Sequence, residues 1–295
     1  MRIAIICLAL ALLIGPASAS FQFEEPTARN AGFGGAAVGL PADAAAPAVN
    51  PAALAGWTGY GAVFNYAQPY DPSFMDFDFG GAFQLPVAGS VGFSWQGFGT
   101  FLNGNMLTAE NRITLAHGFW LRSDQSMSFG LGYGFSLHTE SFAKSKTGID
   151  PGSAMALGIN LGAYARIWDR INVGLAVNNV NYPSIGKDQT YELGRMLAFG
   201  MSYDPYDMIT TSFQVDKTMG TDVRYRMGLE ARPHPIVAIR VGLSTEPVRF
   251  TTGLGLTWQG ILIDYAYKYH SYLGPTHLLT VGYRFDPTFG GSARP

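Results

Sequence analysis

Thiols are all but missing from this chain. Its one cysteine, Cys7, lies in an apolar leader, so the processed protein is expected to hold no disulfide and no cysteine-bound metal. Charge is scarce as well: Asp, Glu, Lys and Arg supply 14% of 295 residues, against roughly 25% in ordinary soluble domains. The 19 basic residues do not exceed the 21 acidic ones, and without a positive excess nucleic acid is not an expected partner. Beyond residue 20 no apolar run reaches about 18 residues, which removes a transmembrane helix. Nor is there a Gly-x-Ser-x-Gly elbow or a His-Glu-x-x-His pair. Gly130-Leu131-Gly132-Tyr133-Gly134 has the period of a strand, not the strand-turn-helix setting of a nucleotide loop. The histidines His117, His138, His234, His270 and His277 fall in different segments. No catalytic residue, metal or cofactor is expected, and the chain does not read as an enzyme.

What the chain does have is glycine, 37 residues of it, and aromatics: Phe 20, Tyr 15 and Trp 5. That apolar load excludes disorder. Residues 1–19 read as an export signal: Arg2 is the positive start, Ile3 to Ile14 the apolar stretch, and Ala17-Ser18-Ala19 the small-residue cleavage site. An anchor is the weaker reading, since about 12 apolar residues cannot cross a ~30 Å hydrocarbon core as a helix.

The rest alternates. From Val223 to Arg232, the residues Val223, Tyr225, Met227, Leu229 and Ala231 oppose Arg224, Arg226, Gly228, Glu230 and Arg232. Ile261 to Tyr269 and Met127 to Leu137 repeat the pattern. A strand has a side-chain period of two, so each segment has one greasy and one polar or glycine face. A soluble sandwich alternates too, but nothing favours glycine on its watery side. Here Gly158, Gly162, Gly200, Gly228 and Gly242 recur on the polar face. Interior glycine marks close approach of another backbone. The expected fold is therefore all-β: a transmembrane antiparallel β-barrel with something packed in its lumen.

Fourteen such segments run from Gly59–Tyr66 to Leu278–Phe285. Short links such as Leu85-Pro86, Arg122 to Ser126 and Trp258 to Ile261 alternate with generally longer ones at Phe98 to Leu107, Glu140 to Ser153 and Asn181 to Tyr191. Short periplasmic turns and longer outer loops are the wiring of such barrels. Residues 20–57 do not alternate; they are Ala/Gly-rich and punctuated by Pro41, Asp43, Pro47 and Pro51. They suit a small, partly helical plug against glycine-lined walls, with a disordered periplasmic tail as the alternative. Proline at 51 biases Asn50 away from helix, so Asn50-Pro51 is expected to end or redirect a short helix. Asn50 would then offer donor and acceptor to inward groups such as the arginines. The expected organisation is a signal at 1–19, a plug at 20–57, a barrel at 58–285 and a tail at 286–295.

Alternation turns Arg112, Arg166, Arg224, Arg226, Arg240, Arg249, Lys268 and Arg284 inward, with Asp76, Asp78, Glu192, Asp216, Glu230 and Asp264. One reading is a polarised wall that orients an anionic head group. The other is cross-strand pairing with Asp216, Glu230 and Asp264 plus hydrogen bonds to plug carbonyls. The second is preferred, because unpaired charge beside a plug is costly.

Arg29-Asn30-Ala31-Gly32-Phe33-Gly34-Gly35-Ala36, then Asp43, then Asn50-Pro51-Ala52-Ala53-Leu54-Ala55 resembles the amino-terminal signature of PorV/PorQ-type proteins, within the wider FadL-like group of outer-membrane barrels. Gly174 to Val180, Asp264-Tyr265-Ala266-Tyr267, Leu273 to His277 and Tyr283-Arg284-Phe285 agree with it. The chain departs from typical FadL transporters in being shorter, with outer loops too short for an external capture groove. It also continues for ten residues past Phe285, where barrel assembly machinery usually reads a terminal aromatic. The resemblance implies a fourteen-strand barrel with an amino-terminal plug, set in outer-membrane lipid. It implies either passage of small hydrophobic or amphipathic molecules, which is the preferred expectation, or docking of secreted proteins.

Overall fold

Alternating segments with one apolar face can satisfy every backbone group in a membrane only by closing on themselves, and that is how the strands are arranged. In a computed structural model of the chain, residues 21, 23, 25–144, 151–186 and 190–286 are described. The expected signal, and the expected tail beyond Asp286, lie outside them. The first half of the wall is β1 (Tyr60–Pro69), β2 (Phe74–Gln84), β3 (Ser90–Leu102), β4 (Asn105–Ser123), β5 (Met127–Phe142), β6 (Ser153–Ile167) and β7 (Ile171–Asn178). The second half is β10 (Met196–Tyr206), β11 (Ile209–Thr218), β12 (Val223–His234), β13 (Val237–Ser244), β14 (Arg249–Trp258), β15 (Ile261–His270) and β16 (Gly274–Phe285). All neighbours are antiparallel, and β1 pairs with β16 from Tyr60↔Phe285 to Pro69↔Thr276, so the sheet has no free edge. Two two-residue strands, β8 (Ser184–Ile185) and β9 (Tyr191–Glu192), form a separate hairpin in the β7–β10 link.

The fourteen expected segments correspond one to one with the fourteen wall strands. Faces follow the alternation: Tyr265 is 41% exposed, whereas Asp264 and Lys268 are 7% and 2% exposed. Three details differ. The expected loop Phe98 to Leu107 is mostly strand, with Asn103 and Gly104 turning the chain at φ 50° and 77°. Gly97 and Gly99 interrupt the apolar alternation there, but their backbones still pair with Asn111 and Ala109. The Phe77 ring occupies the space where a Gly97 side chain would stand. Secondly, β10 starts at Met196 rather than Leu193, which is buried at the long-link end of the lumen. Thirdly, Glu192 does not point inward: it belongs to the β8–β9 hairpin and is exposed.

The plug runs from Thr27 to Trp57 inside the lumen. Its elements are α1 (Ala28–Gly32), α2 (Ala46–Val49) and the 3-10 helix Pro51–Gly56. Thr27 caps α1 by accepting from the Asn30 amide at 3.2 Å. Helices this short have no stability of their own; the wall holds them. Ala28, Ala31, Phe33, Ala52 and Leu54 have no exposed surface. Side chains added at wall glycines would collide with plug backbone: at Gly242 a Cβ would stand 2.1 Å from the Gly34 nitrogen, and at Gly174 it would stand 2.0 Å from the Val38 oxygen. Among the described residues no helix is long and apolar enough to cross a membrane, which leaves any crossing to strands.

Candidate functional site

The lumen has one side rich in ion pairs and another lined by a mixed polar row. On the charged side, Asp216 of β11 accepts from Arg224 at 2.9 Å and from Arg226 at 2.8 Å, both on β12. Arg226 also reaches Glu25 at 2.9 Å, and Lys268 of β15 reaches the other Glu25 oxygen at 2.6 Å. Arg249 of β14 approaches the Tyr70 hydroxyl at 3.3 Å. Arg240 sits four residues nearer the short-turn end than the Arg226 level, donating to Glu230 at 2.6 Å and to Asp264. The arginine group expected from the sequence is therefore split: Arg224, Arg226 and Arg249 face one chamber, and Arg240 is enclosed below it. Arg284 lies near the short-turn mouth, 4.4 Å over the Trp57 ring and bonded to Thr58 and Asp286 at 3.1 and 3.3 Å. Arg226 also donates to the Gly35 carbonyl at 3.4 Å. Cross-strand pairing is thus the arrangement present.

The plug residues fall as follows. α2 ends at Asn50 and the 3-10 helix begins at Pro51, whose missing N–H costs nothing at that position. Asn50 does not meet the arginines. Its Nδ2 donates to the Val38 carbonyl at 3.1 Å and to the Ala163 carbonyl at 3.3 Å, and its Oδ1 accepts from the Ala52 amide at 3.0 Å. The chain passes so close to the wall glycines at this point that only backbone atoms are within reach. Asp43 accepts from the Ala45 amide at 2.9 Å and stands 3.7 Å from Arg29. Burial pushes the Asp43 carboxyl up despite Arg29. Burial pushes Glu25 up too, but there Lys268, Arg226 and Arg249 outweigh it and hold the carboxyl well below its ordinary value.

The other side is a ladder of directly paired inward residues, Thr280–Asn65–Asp78–Gln96–Arg112–His138, across β16, β1, β2, β3, β4 and β5. Thr280 accepts from the Ala28 amide at 2.7 Å and donates to Asn65 at 2.8 Å; Asn65 donates to Asp78 at 3.0 Å. Arg112 donates through Nε to Gln96 at 2.8 Å. His138 ends the row, 1% exposed, with Asn179 as its side-chain partner.

Between the two sides, toward the long-link end, lies a cavity of about 530 Å³. Val38, Ala48 and Val49 of the plug make its floor, while Gln96, Arg112 and His138 face Arg224 and Arg226 across it. Phe21 and Phe23 lie in it: Phe21 packs edge-on against His138 at 5.1 Å, and Phe23 lies under the Arg112 guanidinium at 5.1 Å. The Phe21 amide donates to Glu110 at 2.7 Å. Ile185 of β8 and Leu193, just after β9, bury themselves against Ala156 and Phe21. Sequence reasoning missed Glu25, Gln96, His138 and the two phenylalanines. Gln96 and His138 carried an inward-parity signal, but Glu25 and the phenylalanines lie in a stretch without periodicity.

No protein-family model matches the chain, and no curated protein matches it in sequence. Solved structures do. The Ralstonia pickettii toluene transporter TbuX matches with a TM-score of 0.62 at 11% identity, over 90% of this chain and 99% of that one. The P. putida toluene transporter TodX gives 0.61 at 11%, over 90% and 100%. A Pseudomonas aeruginosa FadL homologue gives 0.61 at 12%, again over 90% and 100%. The fold of this chain, a plugged fourteen-strand barrel, is the FadL-like one.

Proposed function

We propose that this chain is an outer-membrane barrel that passes small hydrophobic or amphipathic molecules inward, its long-link end outside and its short-turn end in the periplasm. The observation that carries the reading is the cavity of about 530 Å³ floored by the plug. Its volume lies in the range of small-molecule sites, roughly 300–1,000 Å³. A plug held by small residues and a few polar contacts is a part that can move, whereas the paired wall cannot part without leaving backbone groups unsatisfied in lipid. The likeness to toluene transporters supports passage of this kind. The reading is tested by expressing the chain in a bacterial host, locating it by membrane fractionation, and measuring whole-cell uptake of radiolabelled butylbenzene. Uptake above empty-vector cells is expected. A chain that reaches the outer membrane without raising uptake overturns the reading. The docking alternative implied by the PorV/PorQ resemblance would gain if deletion of the gene released surface proteins from its native cell.

A further inference from the structure

Two carboxylates engage the arginines of the cavity, and they differ in what carries them. Asp216 belongs to the wall strand β11, is 1% exposed, and pairs with Arg224 and Arg226 on the next strand. Glu25 belongs to the plug, in the stretch ahead of α1. Its two oxygens meet Arg226 at 2.9 Å and Lys268 at 2.6 Å, with Arg249 near enough to add its charge. Cations from β12, β14 and β15 thus converge on a carboxylate that the wall does not own. Asp222 and Glu246 also border the cavity, but both are exposed in the links after β11 and β13, where solvent screens them. The cavity therefore contains a built anion site, and Glu25 is its occupant. From this geometry we infer that Phe21, Phe23 and Glu25 form a built-in competitor for the cavity. The ligand they compete with is an aromatic carboxylate, which takes the place of Glu25 on Arg226 and Lys268 and so frees the stretch ahead of α1. The inference deepens the passage reading and rests on it.

The chain's own residues define that ligand. Exchanging one carboxylate for another leaves every wall cation paired, whereas removing Glu25 without a substitute leaves buried cations short of an anion, which is costly. A neutral molecule cannot make that exchange. The aromatic part follows from the other side of the cavity. Phe23 lies under the Arg112 guanidinium at 5.1 Å, and Phe21 packs edge-on against His138 at 5.1 Å. A ligand ring keeps the cation–π and edge contacts that Phe21 and Phe23 give up; an alkyl chain covers the same area without them. The floor of Val38, Ala48 and Val49 takes the methylenes that join ring to carboxylate. The stretch itself is held at its start by one backbone bond, from the Phe21 amide to Glu110 at 2.7 Å, and that bond reports whether it has been released.

The test is calorimetric titration of the purified full-length protein in detergent at pH 7 with three probes: 4-phenylbutyrate, its neutral amide 4-phenylbutanamide, and the aliphatic anion nonanoate. The phenylbutyrate is expected to bind about tenfold more tightly than the amide, the scale of one charge-assisted hydrogen bond. It should bind about fivefold more tightly than nonanoate, the scale of one aromatic contact. Glu25→Gln removes the competing charge and should raise phenylbutyrate affinity about tenfold, a direction that mere loss of structure does not produce. In the wild type, saturating phenylbutyrate should quicken hydrogen exchange at the Phe21 amide, and the amide probe should not. Equal affinities for acid and amide, nonanoate binding as tightly as phenylbutyrate, unchanged or weaker binding in Glu25→Gln, or a Phe21 amide still protected at saturation each overturn the inference, as does no binding. Uptake of butylbenzene by cells is a separate readout. If it fails while the exchange at Glu25 persists, the passage reading falls and the site stands; the reverse outcome removes the site alone.

Discussion

The β11–β15 side of the lumen and the β1–β5 side are both antiparallel wall and hold the same plug, but by different forces. On the first, carboxylates and cations interlock: Glu25 of the plug is clasped by Arg226 and Lys268, and Arg240 is gripped by Glu230 and Asp264. On the second, a row of hydrogen bonds runs from the plug amide of Ala28 through Thr280 and Asn65 to Asp78. The plug's 3-10 helix lies against bare backbone, with the Ala52 nitrogen 2.3 Å from where a Gly132 Cβ would be. Ion pairs taken out of water tolerate no loss of a partner, so the charged side locks. Backbone packing and single hydrogen bonds yield in smaller steps. The difference teaches that any movement of the plug on the charged side requires Glu25 to let go.

The largest effect is expected from removing the plug altogether. Deleting residues 21–56 should leave a folded barrel whose single-channel conductance in planar bilayers rises by about tenfold or more, as in barrels with open lumens. Unchanged conductance would mean that wall side chains alone close the lumen and that neither side matters. Next comes Gly242→Val, which forces a side chain into the Gly34 backbone, where nothing flexible can give way. It should cost ~1–3 kcal/mol in urea unfolding and loosen the plug around α1 and Gly34; a neutral result would show that segment to be already mobile.

Glu25→Gln sharpens the comparison directly. It takes from Lys268 and Arg226 the plug carboxylate they share and should produce frequent brief openings at pH 7, seen as current bursts absent from the wild type. The wild type should acquire the same bursts in acid. Because the Glu25 carboxyl is held well below its ordinary 4.5, its stabilisation is complete above that value and is lost as pH falls through the lower folded one. Bursts in wild type near neutral pH, or a variant that still responds to acid in this window, would contradict the latch. Asp43 works with the opposite sign: burial raises its carboxyl, so its cost is relieved in acid and cannot supply the effect. Asn50→Ala is the mildest change. It removes two bonds to carbonyls and the cap of the 3-10 helix, for about 1–2 kcal/mol of plug stability. Hydrogen exchange at Ala52 and Ala53 should quicken while the Phe33 region stays protected. Exchange rising equally in both would show that the two segments move as one.

Much of this molecule was legible in its residues. Period-two alternation from Val223 to Arg232 or from Ile261 to Tyr269 states which face meets lipid, since a slip of one residue would invert every side chain. Inward glycines at Gly200, Gly228 and Gly242 pointed to a partner in the lumen, and Gly39, Phe33 and Gly34 are what lies against them. The place of Asn50 was legible only in part. A short side chain beside Pro51 reads as a cap, but which carbonyls it meets depends on where the plug lies against β6, a distance in space and not in sequence.

The sequence by itself determined the strands, their faces and their number, because each follows from a local period and from the need to satisfy backbone in a medium without water. Only the tertiary structure decided the chamber. Glu25 and Lys268 are 243 residues apart, and Phe21 and Glu110 are 89 apart. No local pattern relates them. They meet because closing the β1–β16 seam fixes the radius of the lumen, and that radius decides which inward side chains can reach the plug.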